Sequence, residues 1–179
     1  PCSGWKRAMH WPDTHLPFVQ TSPAIASYES VLLYPGLCLF EATNLSVGRG
    51  TSMSFQIVGA PWLRADETAQ AFNAIKLPGV VARPESFTPT EPPFANQPCA
   101  GVRLTVSDAK SFRPVRAGLH LLASVIALHR NVFRWVNYPT AANSTGAGHF
   151  ERLIGQAGPR APLENNPPDL SERVKEWTS

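Results

Sequence analysis

The run Glu41-Ala42-Thr43-Asn44-Leu45-Ser46-Val47-Gly48-Arg49-Gly50-Thr51 gathers the side chains best suited to chemistry. Glu41 closes the apolar stretch 37–40. A carboxyl deprived of water is disfavoured in its charged form, which suits a general acid. The alternative is structural: Glu41 pairs with a nearby arginine or accepts backbone N–H bonds from the loop, since such pairs perturb carboxyls as well. Asn44, Ser46 and Thr51 are short and polar, so they either shape turns by bonding to the loop backbone or bond a ligand's polar groups. Gly48 and Gly50 flank Arg49 and permit unusual backbone angles there. A guanidinium is the side chain best built to grip a carboxylate with two parallel bonds. Arg49 is therefore either an anion ligand or a brace for the loop. Trp62, after Gly59-Ala60-Pro61, offers a ring for stacking or a buried wedge.

Other chemistries find less support. His10, His15, His120, His129 and His149 show no metal-ligand spacing, and His120 and His129 read as core-edge or capping residues. The three cysteines, Cys2, Cys38 and Cys99, lack the short spacing of zinc or redox motifs. No His–Cys or His–Ser pairing suggests a nucleophile, and no cofactor motif is present. The formal net charge is +3, but the basic residues are scattered and Lys6-Arg7 is the only adjacent pair. Nucleic-acid binding needs a basic stripe, and none is readable. No apolar stretch approaches the roughly 20 residues that span a bilayer. With 43% hydrophobic and only 16% charged residues, the chain must bury a sizeable core or face a partner.

The elements that must position these residues follow from pattern. Residues 1–26 hold Pro12, Pro17 and Pro23 with Trp5, Trp11 and Phe18, and read as an irregular arm laid across a surface with its rings buried. Ser27 caps a short helix that Pro35-Gly36 ends. A buried strand is expected at 37–41, a loop at 43–54 and a second strand at 55–58. Residues 66–75 fit a helix with acidic residues in its first turn. The best strands are 80–87 and 101–106, joined by a proline-dense linker at 89–98. Val115, Leu119, Leu122, Val125, Ile126 and His129 recur at helical spacing after Pro114 and predict the longest helix over 115–130. A loop at 139–148, one or two helical turns at 149–154 and a last helix at 171–177 capped by Ser171 complete the chain. Strands and helices mix without strict alternation, which points to the α+β class: a small mixed sheet packed with helices, preceded by the arm.

Five stretches carry a resemblance. They are Trp5-Lys6-Arg7 with Leu16-Pro17-Phe18-Val19 and Ser22-Pro23; Tyr34-Pro35-Gly36 running through Leu39 to Thr51; Phe55 with Gly59-Ala60-Pro61-Trp62; Leu77-Pro78-Gly79-Val80 with Phe87-Thr88-Pro89; and Gly101-Val102 with 112–119. A weaker match at 149–155 extends them. Together they resemble the C-terminal portion of the NamZ-like exo-β-N-acetylmuramidase family. The most specific element is the run from Phe40 to Thr51 followed by Gly-Ala-Pro-Trp. Two positions depart from the family's usual pattern: Ala42 replaces a glycine, and Val47 replaces a glutamate.

The resemblance implies a two-part enzyme that removes N-acetylmuramic acid from the non-reducing end of peptidoglycan fragments. A Rossmann-like N-terminal domain would supply a catalytic glutamate, and the C-terminal domain would complete the cleft. On this reading residues 1–26 are the junction with that domain and 27–179 form the C-terminal domain. The chain opens without Met and reads as the interior of a longer polypeptide, truncated at its C-terminal end, whose parent is periplasmic or secreted. Glu41 is the expected catalytic residue, and Asn44, Ser46, Arg49, Thr51 and Trp62 the expected sugar-binding set. Muramic acid carries a lactyl carboxylate that glucosamine lacks, and Arg49 is its expected partner. Glycosidases typically need two carboxylates. With one well placed here, the isolated chain is expected to be inactive. The alternatives are a stand-alone non-catalytic module for muramyl sugars or a protein partner, and a degenerate fragment that keeps only the fold.

Overall fold

A computed structural model describes residues 2–165 and 169–178. Among these residues, six α-helices surround one small sheet: α1 (Tyr28–Leu37), α2 (Ala65–Ala74), α3 (Pro114–Leu128), α4 (His149–Ile154), α5 (Arg160–Asn165) and α6 (Leu170–Trp177), with β1 (Ile57–Ala60), β2 (Val80–Phe87) and β3 (Cys99–Val106). The α+β class is as expected. The sheet has order β1-β3-β2, and both pairings are antiparallel, so it is not mixed.

The core forms around α3. Its Leu119, Leu121, Leu122 and Val125 are buried, and it packs against α1, α2, α5 and α6. Pro114 occupies the first turn, where its missing N–H costs nothing. α1 crosses α3 where Gly36 meets Gly118: a Cβ on either would collide with the other helix's backbone. This explains a difference from the pattern reading. Pro35-Gly36 does not end α1, which runs on to Leu37. Within a helix Pro35 removes one intrahelical bond, while Gly36 is needed for the close approach. The expected strand at 37–41 is instead a 3-10 turn, Cys38–Ala42. A short apolar run buried on all sides gives no period to tell strand from helix, and Leu37, Leu39, Phe40 and Ala42 are all buried.

The sheet runs close to expectation. β2 matches its predicted bounds, and β3 begins earlier, at Cys99. β1 starts later than predicted because Phe55 sits at φ 56°, left-handed and incompatible with a strand. β2 is an edge strand protected in two ways. The Asn73 side chain of α2 bonds both the N–H and the carbonyl of Ala82, at 2.9 and 2.8 Å. Pro84 removes a further donor, as edge strands permit.

The arm packs less fully than expected. Phe18 meets Tyr28 edge-on at 6.5 Å and His10 Nδ1 lies 2.8 Å from the Tyr28 hydroxyl, but Trp5 stays exposed. α6 begins at Leu170, with Asp169 rather than Ser171 before it. His129 is a capping residue, as expected: it closes α3, and its Nδ1–H donates to the Val125 carbonyl while Nε2 accepts the Arg64 backbone N–H, at 3.0 Å each. That pairing requires a neutral ring. No described helix is long and apolar enough to cross a membrane.

Candidate functional site

The segment 41–49 alternates. Glu41, Thr43, Leu45, Val47 and Arg49 line one cleft of about 260 Å³, with Pro92, Pro93, Val136 and Tyr138 opposite. The intervening residues bind the body of the domain. Asn44 donates from Nδ2 to the Val132 carbonyl at 2.9 Å and accepts the Arg134 N–H at 2.8 Å. Backbone bonds from Asn44 N–H to Arg134 O and from Val136 N–H to Ala42 O continue the tie. Asn44 thereby positions the segment that carries Val136 and Tyr138. Ser46 is buried and its Oγ accepts the Gly48 N–H at 3.2 Å.

Beyond Gly48 the chain turns back. Gly48 and Gly50 have φ of 75° and 76°. Thr51 closes the turn, donating to the Gly48 carbonyl at 2.7 Å and accepting from Met53 N–H at 3.1 Å. A side chain at Gly50 would strike Thr90, whose hydroxyl donates to the Gly50 carbonyl at 3.2 Å. This contact seats the proline-rich segment, and with it Pro92 and Pro93, beside the cleft.

The turn brings Arg49 back onto Glu41. Arg49 Nη2 donates to Glu41 Oε1 at 2.5 Å, and the Tyr138 hydroxyl donates to the same oxygen at 3.0 Å. The Glu41 side chain is 8% exposed and that of Arg49 27%. The guanidinium lies 4.9 Å from the centroid of the Phe55 ring, and Tyr34 meets Phe55 edge-on. Arg49 Nε is buried with no hydrogen-bond partner among the described residues. Burial works against the Arg49 charge, but the hydrogen bond and the charge of Glu41 outweigh it and raise the group's proton affinity. Around the pair stand three weak acids that stay protonated. Burial, with Glu41's charge behind it, pushes the Cys38 thiol up to about 12. Burial also raises Tyr138 and Tyr34, with Glu41 adding to both and Arg49 opposing. Cys38 is therefore no thiolate nucleophile.

Of the residues singled out in sequence, the structure brings Glu41 and Arg49 together at the cleft. Asn44 and Ser46 lie on the other face of the segment, and Thr51 is engaged inside the turn. Trp62 lines a different concavity with Arg64, His129 and Arg130, where its ring packs 5.5 Å from that of His129. Tyr138 is the member that sequence reasoning missed. It reaches Glu41 from far along the chain, and no local spacing announces it. His149 at the start of α4 stacks on Tyr138, 4.9 Å between centroids. Among the described residues no cluster of three or more His, Cys, Asp or Glu side chains could hold a metal ion.

The fold and the cleft define an α+β domain with one carboxylate–guanidinium pair at an otherwise largely apolar cleft. Residues 32–179 match the family described as Exo-beta-N-acetylmuramidase NamZ, C-terminal, and the chain belongs to that family. Over 161 residues it is 37% identical to the Peptidoglycan beta-N-acetylmuramidase NamZ of Bacillus subtilis (strain 168), covering 90% of this chain and 37% of that protein. The chain thus spans well under half the length of that relative. A crystal structure of a DUF1343 family protein from Bacteroides fragilis superposes with a TM-score of 0.67 at 23% identity, over 98% of this chain and 42% of that one. A second from the same organism gives 0.50 at 24% identity, over 89% and 42%. At these identities the two structures show the fold alone.

Proposed function

We propose that this chain is the C-terminal part of a glycoside hydrolase that removes N-acetylmuramic acid from the non-reducing end of peptidoglycan fragments. The observation that carries this reading is the 37% identity to the Bacillus subtilis muramidase across 90% of the chain. On this reading residues 27–179 form the domain that completes the substrate cleft, residues 1–26 meet a Rossmann-like catalytic domain, and no cofactor takes part. Glu41 faces the cleft as the one carboxyl group suited to proton transfer, and a second comes from the N-terminal domain. Arg49 takes the lactyl carboxylate. Asn44, Ser46 and Thr51 build the loop that presents these two groups.

The second reading is a non-catalytic binding module. The observation in its favour is that Glu41 is engaged by Arg49 and Tyr138, as a purely structural carboxylate would be. Kinetics on a chromogenic muramide and the matching glucosaminide separate the two. The 179-residue chain alone should give no turnover. Joined to its N-terminal domain it should act on the muramide, and Glu41→Gln should reduce kcat. Arg49→Lys should lower kcat/KM for the muramide and leave the glucosaminide little changed, because an ammonium cannot form the two-bond fork. Full activity of the joined protein carrying Glu41→Gln would leave the binding-module reading standing.

A further inference from the structure

A second concavity, at the C-terminal end of α3, holds neither Glu41 nor Arg49. It measures about 470 Å³, and its lining includes Trp62, Arg64 and the turn 129–132. Both of its walls are fixed by the backbone. After β1 the chain turns, with Leu63 N–H donating to the Ala60 carbonyl at 3.2 Å, and the Arg64 N–H is then held by His129 Nε2 at 3.0 Å. Trp62 lies between these anchors, partly buried, with the His129 ring packed on it at 5.5 Å. On the other wall the Val132 and Phe133 N–H groups both donate to the His129 carbonyl, at 3.0 and 2.8 Å. Arg130 and Asn131 project from that turn and are exposed. A large ring with two side-chain torsions, on a backbone already held, gives contact area at little cost in entropy.

The charges here differ from those of the cleft. Arg64 is matched by Glu67 at 2.8 Å. Arg134, next to the rim, spends its guanidinium on the Phe133 and Asn131 carbonyls. Neither Arg134 nor Arg130 forms an ion pair among the described residues. The concavity thus offers a free guanidinium, a carboxamide and an indole ring, whereas Arg49 in the cleft is taken up by Glu41. A guanidinium grips a carboxylate with paired bonds. A carboxamide both donates to and accepts from another amide. The indole face suits the C–H face of a pyranose. A bare anion has no use for the ring, and a neutral sugar has none for the charge.

We infer that this concavity is a second, non-catalytic site for a carboxylated N-acetyl amino sugar, with Trp62 against the ring, Arg130 on the carboxylate and Asn131 at the acetamido group. Resting on the reading that the protein acts on peptidoglycan, the occupant is a further N-acetylmuramic acid residue. The protein then holds its polymer at one place and works on the chain end at another.

The test is an NMR titration of the 179-residue chain at pH 7, read at the indole N–H of Trp62. Trp62→Phe assigns that signal, since it removes one of five. N-acetylmuramic acid should shift it saturably. N-acetylglucosamine should bind there about tenfold more weakly, and lactate, a carboxylate with no ring, should leave it unmoved. Arg130→Gln should weaken N-acetylmuramic acid about tenfold, the low end for a hydrogen bond to a charged group, and leave N-acetylglucosamine unchanged. Arg130 is exposed, so this variant keeps the fold. Arg49→Lys should not alter the Trp62 response. A Trp62 signal that ignores N-acetylmuramic acid overturns the inference. So does an equal response to lactate, or an affinity for the acid that Arg130→Gln leaves intact. Failure of the underlying reading looks different: Trp62 still responds to the acid, but the protein joined to its N-terminal domain leaves the chromogenic muramide uncut.

Discussion

The α1–α3 crossing and the cleft that follows it along the chain are built in opposite ways. At the crossing, Gly36 and Gly118 set backbone against backbone and leave no room for a methyl group. At the cleft, a guanidinium and a carboxylate meet beside open space, with one buried donor unpaired among the described residues. The crossing has a full core around it and no polar groups to satisfy beyond its own helices. The cleft holds charges that packing alone would not tolerate, and it is stabilised by residues on its far face. Tight packing and chemical function are thus kept adjacent in sequence and separate in space.

The largest expected effect falls at the crossing. Gly118→Ala should destabilise the domain by about 3 kcal/mol, the upper part of the usual overpacking range, as read from urea denaturation. On an exposed helix the same change would stabilise by up to about 1 kcal/mol, so the sign alone decides. A neutral or stabilising result would mean that the helices can part at no cost and that the contrast with the cleft is false.

The next effect separates the two faces of the 41–49 segment. Asn44→Ala loses both bonds to the 132–134 stretch and should cost roughly 1–3 kcal/mol. Arg49→Ala should cost less, about 1 kcal/mol, because Tyr138 still donates to the Glu41 carboxylate that the guanidinium leaves behind. The denaturation midpoints of the two variants check this order. If Arg49→Ala proved the more damaging, Arg49 would be a brace and the cleft would belong with the structural regions.

The smallest effect is one of pH. Burial holds the His129 imidazole below its ordinary value, with Arg64 adding to the shift and the Val125 carbonyl opposing it. Burial and then Arg116 lower His120 in the same way. The unfolded chain therefore takes up protons that the folded chain refuses. Stability should be full above the unfolded histidine value, about 6.5, and should fall as pH drops below it. Each histidine contributes at most about 1.4 kcal/mol per pH unit. Thermal unfolding at pH 7.5 and 5.5 should show the loss, and His129→Gln should shrink it. Greater stability at pH 5.5 would reverse the sign and place the imidazoles in salt-bridging roles.

Elements with a period of their own were legible in the amino acids. The alternation of β3, the helical spacing of α3 and the Gly155 stop after α4 all appear near their expected places, because each is set by which side chains face the core. The stretch Leu37–Phe40 was not legible, since it is buried on every side and has no polar face to reveal its geometry. The same limit applies at Phe55, where a left-handed residue shortens the strand expected there.

The sequence by itself determined the family, the α+β class, and the presence of one carboxyl and one guanidinium in a single glycine-framed run; that the two pair was decided by the fold. Only the tertiary structure decided which side chains of that run face the cleft. The path of the segment, a 3-10 turn running into bridges and bends, sends Glu41 and Arg49 one way and Asn44 and Ser46 the other, and nothing in their chemical types distinguishes the two sets. The tertiary structure also brought Tyr138 to Glu41 and seated Pro92 and Pro93 beside them. Those contacts join segments separated by most of the domain, and they follow from how α3 and the sheet pack rather than from any local preference of the residues concerned.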